Sequence, residues 1–238
     1  MVKKLIINSI DPFLCLPNKT LYEQDGKDFL HVYALPLESE IDSEEYLTLS
    51  EQVKRKRFIQ QADKDRFSLG RYLIRTILPK YKPELTPLFE LDFTLTNKPF
   101  IQNSAIHFNL AHSGNWVALA VSNKTVGVDI ELIKPITDIE EVMKPCFNDS
   151  EIETIVNSSD SLNSFYKFWT RKEAILKATG QGIATNLLDI NVLDGEHFIE
   201  LEQWNANQMY LNTYAFQTEY IISTASELEL NPLQVILK

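Results

Sequence analysis

The stretch Thr125-Val-Gly-Val-Asp-Ile-Glu-Leu132 governs how the rest of the chain is understood. Apolar residues fall at Val126, Val128, Ile130 and Leu132, with Gly127, Asp129 and Glu131 between them. A period of two marks a strand, because successive side chains of an extended chain point to opposite faces. One face is expected to bury four aliphatic side chains, and the other carries two carboxylates two residues apart. Those carboxylates either form the solvated outer face of an antiparallel strand, or they share a cation that offsets their repulsion.

With 238 residues, 44% of them hydrophobic and 24% charged, the chain has globular composition and enough material for one large domain or two small ones. A formal net charge of −10 argues against wholesale binding to nucleic acid or anionic membrane. The charge is unevenly spread: from Lys54 to Lys82, ten basic residues face two acids, giving +8 and leaving −18 for the remainder. That patch suits a polyanionic ligand or an acidic partner, the alternative being that it solvates helix faces. Cys15 and Cys146 are too few and too far apart to indicate a disulfide framework or a zinc site, which fits a reducing compartment. The apolar run after Lys4 is interrupted by Asn8, Ser9, Asp11 and Pro12, too early for a secretory leader, and no window approaches a membrane span. A cytoplasmic protein is expected.

Taken in order, Lys4 to Ile10 and Asp28 to Leu35 read as strands around a polar, turn-rich segment. From Ser50 the periodicity turns helical, with Val53, Arg57 and Phe58 in one helix and Phe67, Tyr72, Leu73, Thr76 and Ile77 in the next. Asp63 is the expected cap of the second helix, and Pro79 follows its end. A strand is expected near Phe89–Thr96, and Asn115 to Ser122 is a strongly apolar one. Asn123-Lys124 is a turn candidate that would pair it with the opening stretch as an antiparallel hairpin. Ile139 to Met143 is a short amphipathic helix, and Asn148 to Glu151 offers caps for another through Val156. Asn157 to Asn163 reads as a loop. Ser164 to Thr179 is the clearest helix, with Phe165, Phe168, Trp169, Ile175 and Leu176 on one side and Gly180 past its end. Short strands follow at His197–Glu202, Met209–Phe216 and Tyr220–Ala225.

In that helix Glu173 lies one turn from Trp169 and one turn from Lys177. Alone it reads as half of a surface Glu–Lys pair. Together with Asp129 and Glu131 it makes three carboxylates on two rigid elements, a hard oxygen set suited to Mg²⁺ shared with phosphates. Lys172 and Lys177 would offset phosphate charge, which points to phosphoryl or pyrophosphate chemistry. No Gly-rich Walker or dinucleotide fingerprint is present, and Gly-x-Ser-x-Gly is absent. Of the four histidines, His112 is placed on a loop ahead of a buried strand, either as a structural histidine or as a ligand.

Gly127-Val-Asp-Ile-Glu131, followed by Trp169-Thr-Arg-Lys-Glu-Ala174 and Lys177, resembles the signature of the 4′-phosphopantetheinyl transferases, in their larger Sfp-like subfamily. Asn97-Lys98-Pro99, Phe108-Asn109-Leu110-Ala111-His112-Ser113 and Phe147…Glu151 match in the same order. The resemblance spans about residues 45 to 183. It implies transfer of the phosphopantetheine arm of coenzyme A to a serine of an acyl or peptidyl carrier protein, with 3′,5′-adenosine bisphosphate released. It implies an α+β fold of two similar subdomains related by a pseudo-twofold axis, here residues 1–122 and 123–238, with coenzyme A in the cleft between them and one chain acting as a monomer. The first 25 or so residues would be an extension.

Carried over by motif, Asp129, Glu131 and Glu173 would hold Mg²⁺, with Asp129, Glu173 and Lys177 forming the catalytic group. Glu173 would be the general base, and Lys177 would hold phosphates. Lys54, Arg66, Lys98, Pro99, His112, Ser113 and Lys172 would line the coenzyme A site. Four positions depart from the family pattern: Glu51 replaces a frequent base, Phe67 a small hydroxyl residue, Asn97 a glycine and Ala111 a serine. They bear on the 3′-phosphate contacts, not on the carboxylates. Two other expectations compete: a binding module without activity, or a different Mg²⁺-dependent phosphate enzyme.

Overall fold

Residues 3–4, 28–39, 41–181, 187–194, 198–201 and 206–228 are described in a computed structural model, and helices and strands alternate irregularly along them. In chain order the elements are β1 (Lys3–Lys4), β2 (Leu30–Pro36), α1 (Leu49–Arg55), α2 (Gln61–Ile77), β3 (Asp92–Phe93), β4 (Pro99–Phe100), β5 (His107–Ser113), β6 (Trp116–Ser122) and β7 (Val126–Leu132). Then come α3 (Ile139–Met143), α4 (Asp149–Val156), α5 (Ser161–Thr179), β8 (Phe198–Leu201), β9 (Ala206–Phe216) and β10 (Tyr220–Ser226). The fold is mixed α+β. Most of the N-terminal extension and of the strand expected at Lys4–Ile10 lies outside the described residues.

β6 is apolar on both faces because both are covered. Val117, Leu119 and Val121 pack with Leu69, Leu73 and Ile74 of α2, whereas Ala118 and Ala120 face Val126, Val128 and Ile130 of β7. One sheet runs β2-β6-β5, a second runs β1-β9-β10-β7 with β8 on β9, and β3 and β4 form a separate hairpin. A third apolar cluster joins Phe165, Phe168, Ile175 and Leu176 of α5 to Met209 and Leu211 of β9. The layers are therefore α2, first sheet, second sheet, α5.

The expected hairpin of β6 with β7 does not form. Both edges of β6 are taken, by β2 and β5, and β7 pairs antiparallel with β10 instead. The chain crosses between sheets at residues 123–125. Asp63 does not cap α2: Gln60 stands at the N-cap without a side-chain bond, and Asp63 pairs with Arg66 at 2.8 Å. Asn148 does cap α4, in a reciprocal box with Glu151. α5 starts at Ser161, three residues earlier than its apolar stripe suggests, because Asp160 caps it. Gly180 ends it with φ of 73°, the left-handed region where glycine has no penalty. The strand expected near Phe89–Thr96 shrinks to β3.

Candidate active site

Gly127 sets the geometry. A Cβ built on it would stand 2.0 Å from the Ala174 carbonyl oxygen and 2.4 Å from the Ala178 nitrogen. The backbone of α5 thus rests directly on that of β7, which small residues on both elements allow. Asp129 and Glu131 share the Gly127 face of β7 and so lie under the helix. Glu173 and Lys177, one turn apart, meet them from above. Asp129 is only 3% exposed, and the Lys177 ammonium reaches its Oδ1 at 2.5 Å. The solvated outer face is thereby excluded.

Burial makes this group costly in charge. Desolvation raises the pKa of Asp129, with Lys177 and the Ile130 amide opposing it. Glu131 is raised by burial and then by the Asp129 charge, while hydrogen bonds from Ser113 and Trp169 hold it down. Glu173 is raised by burial and by both other acids, with Lys177 opposing. The Asp129 charge acts on both glutamates and the Glu131 charge on Glu173, so the three carboxylates form one electrostatic cluster.

Among the described residues no three acid, imidazole or thiol groups converge tightly enough to cage an ion by themselves. Yet Asp129 Oδ2 and Glu173 Oε1 are buried with no hydrogen-bond partner among the described residues. Buried carboxylate oxygens left unpartnered are expensive. Hard oxygen donors of this kind, on facing elements beside an accessible cleft, fit a divalent cation that brings its remaining ligands with it.

The cleft, about 280 Å³, lies between the β3–β4 hairpin and the end of α5, and its lining includes Thr96, Lys98, Pro99, Glu173 and Lys177. At the hairpin tip Asn97 has φ of 62°, a left-handed conformation that asparagine adopts more readily than most residues other than glycine. Lys98 Nζ donates to the carbonyls of Ala178 at 2.9 Å and Val126 at 3.3 Å. Arg66 Nε donates to the Gly114 carbonyl at 2.9 Å.

His112 is in strand β5, not on a loop. Its ring is reached by solvent, and partial desolvation, then Arg66 and Lys177, lower its pKa. Arg66, His112 and Lys177 are thus electrostatic neighbours. Lys54 is exposed on α1, its ammonium 5.6 Å from the Phe67 ring and 5.9 Å from Phe93.

Two expected ligand residues are otherwise occupied. Lys172 is fully buried, its ammonium 2.6 Å from Glu151 and 2.8 Å from the Leu187 carbonyl, so it cannot offset phosphate charge in the cleft. As residue 172 of α5 it falls on the far side of the helix from β7. Ser113 donates to Glu131 at 2.6 Å and accepts from the Leu132 amide at 3.1 Å, so it orients a carboxylate. The basic patch is also smaller than its count implies. Arg71 and Arg75 are buried against Glu51 at 2.6 and 2.9 Å, which gives Glu51 a structural place where a base is frequent. Phe67 packs beneath Arg71.

Sequence reasoning missed Asn109 as a positioning group. Its Oδ1 accepts the Val128 amide at 2.9 Å, as Ser113 accepts the Leu132 amide. The four-residue spacing is the same on both strands, a signal visible only once β5 is known to face the free edge of β7. Thr96, which donates to the Gly180 carbonyl at 2.7 Å, was likewise unmarked.

Comparison with known proteins identifies the family. A family model for the 4′-phosphopantetheinyl transferase superfamily matches residues 125–229, and one for the N-terminal part of a 4′-phosphopantetheinyl transferase matches residues 36–124. The chain is 34% identical to the 4′-phosphopantetheinyl transferase HetI of Nostoc sp., over 71% of this chain and 74% of that protein. It is 31% identical to the transferase psf-1 of Bacillus pumilus, over 74% and 76%, and 27% identical to Sfp of Bacillus subtilis, over 80% and 89%. With both family models in tandem and a cluster of acids where β7 meets α5, the chain belongs to the 4′-phosphopantetheinyl transferase superfamily, as an enzyme of the Sfp-like type.

Proposed function

We propose that this chain transfers the 4′-phosphopantetheine group of coenzyme A to a serine of an acyl or peptidyl carrier protein and releases 3′,5′-adenosine bisphosphate. The observation that carries this is the Asp129–Glu131–Glu173 cluster with two unpartnered buried oxygens, set beside Lys177 at the cleft. Asp129, Glu131 and Glu173 would hold Mg²⁺, which when bound supplies charge neutralisation for a pyrophosphate.

The chain's own groups do the rest. A serine hydroxyl is a weak nucleophile, and Glu173, its pKa raised by burial and by the other acids, is suited to take its proton. The serine oxygen bonds to the phosphorus that bears pantetheine. The pyrophosphate P–O bond breaks, and its electron pair departs on the adenosine bisphosphate. Lys177 and Arg66 face the developing negative charge, while His112, its pKa lowered, meets the donor as a neutral hydrogen-bonding group. Glu131, oriented by Ser113, keeps the acids in register. One sheet drawn from β2, β5 and β6 and another mainly from β7, β9 and β10 fit two subdomains, 1–122 and 123–238, which would be related by a pseudo-twofold axis, enclose the cleft and work as a monomer.

Intact-mass spectrometry of several apo carrier proteins, incubated with this protein, coenzyme A and Mg²⁺, tests the proposal. One carrier should gain the phosphopantetheine mass, and Glu173→Gln should abolish the gain while leaving the melting temperature near wild type. Undiminished labelling by Glu173→Gln would remove the proton-accepting role. Coenzyme A binding with no transfer to any carrier would favour a binding module.

A further inference from the structure

Among the described residues β7 is the edge of its sheet, since β10 pairs with one side only. An edge strand presents unpaired amides and carbonyls, yet here side chains from the first sheet and the β3–β4 hairpin meet them. Asn109 accepts the Val128 amide, Ser113 accepts the Leu132 amide, and Lys98 donates to the Val126 carbonyl. Lys98 also donates to Ala178, one of the last carbonyls of α5, and Thr96 beside it donates to Gly180. Those carbonyls end a helix and have no intrahelical partner. A cation placed there also complements the helix dipole. The ammonium of Lys98 thus gives two of its three donors to backbone carbonyls, one from each element that carries the acids.

We propose that Lys98 is a positioning residue, which fastens the β3–β4 hairpin to the edge of β7 and the last turn of α5 and so fixes Glu173 and Lys177 over Asp129, and that it is not a phosphate ligand. The proposal rests on Glu173 and Lys177 being the working groups of the cleft. Burial, which lowers the Lys98 pKa to about 8, agrees with an ammonium enclosed by protein.

Lys98→Met keeps the length of the side chain and removes its donors. Coenzyme A affinity, measured by calorimetry, should stay within about threefold of wild type, while the turnover number for carrier labelling falls about tenfold or more, the pattern of lost positioning and not of lost ground-state binding. The preference for coenzyme A over 3′-dephospho-coenzyme A should be unchanged. Amide hydrogen exchange across residues 173–180 should quicken, and Lys98→Arg should restore part of the protection.

The opposite split overturns the proposal: affinity for coenzyme A weakened about tenfold or more, the preference over the dephospho compound lost, and exchange unaltered. Should Lys98→Met fail to fold, Thr96→Val decides, since faster exchange at unchanged coenzyme A affinity supports the clamp and unaltered exchange overturns it. If the wild-type protein labels no carrier, the transfer reaction fails while affinity and exchange still decide the clamp.

Discussion

Replacing Gly127 with alanine should separate the two elements that form the site. No positive φ is involved at this residue, so backbone strain is not at stake; space is. The added Cβ would lie 2.0 Å from the Ala174 oxygen, where ordinary contact begins near 3.4 Å, so α5 must retreat by more than an ångström. The obstruction is helix backbone, which cannot rotate aside as a side chain can. Overpacking of this kind costs about 1–3 kcal/mol, and in a chain of this size each kcal/mol lowers the melting temperature by about 2–4 °C.

The larger effect should be on rate. Asp129 moves away from Glu173 and Lys177, and a displacement of about 1 Å in a reacting group costs roughly 100-fold. Calorimetry gives the melting temperature, and single-turnover carrier labelling well below both midpoints separates rate from unfolding. Gly70→Ala is the control. Its Cβ would meet only Leu110 Cδ2, at 2.6 Å, the end of a flexible side chain. The gain of about 0.5–1 kcal/mol for alanine over glycine in a helix should then roughly offset the cost. Gly127→Ala with a melting temperature within about 1 °C of wild type and labelling within about threefold would refute the close-approach argument.

Two further outcomes follow from the buried charges. Lys172→Met should cost about 3–5 kcal/mol by stranding Glu151, visible as a lower melting temperature with unchanged coenzyme A affinity, and adding Glu151→Gln should recover much of the loss. The pH dependence of stability should reveal Lys98, whose folded-state pKa of about 8 lies below the ordinary 10.5. Between those values the unfolded chain binds more protons, so stability gained by wild type relative to Lys98→Met should be fully present above the upper value and be lost as pH falls to the lower one. Equal pH slopes for the two proteins in denaturant titrations would show that Lys98 is not desolvated.

How much of this was legible in the sequence depends on whether a feature is local. The strand at residues 126–132, the cap at Asn148 and the glycine after Thr179 are set by neighbours in the chain, and each lies where its pattern indicates. That β6 does not pair with β7 was not legible, because a two-residue turn candidate says nothing about which strands occupy the edges of β6. That choice belongs to Leu30–Pro36, far away in sequence and apolar enough to fill the other edge. The same limit hid the use of Lys172. Adjacency in sequence put it beside Glu173, but its partner Glu151 sits on another helix.

The motif residues make the point most sharply. Lys98, Asn109 and Ser113 come from two separate motifs before the strand, and a resemblance presents such residues together with ligand residues as one set. Their partners divide that set. Asp129 and Glu173 keep buried oxygens without partners, the condition of groups waiting for a ligand. Lys98, Asn109 and Ser113 each hold a backbone group of β7, the condition of groups that keep a ligand site in shape. Both kinds are needed at a site that must place three acids under a helix, but only satisfaction of hydrogen bonds distinguishes them. A motif therefore locates the seam where β5, β7 and α5 meet, and the polar groups left unpaired along that seam mark where the chemistry is done.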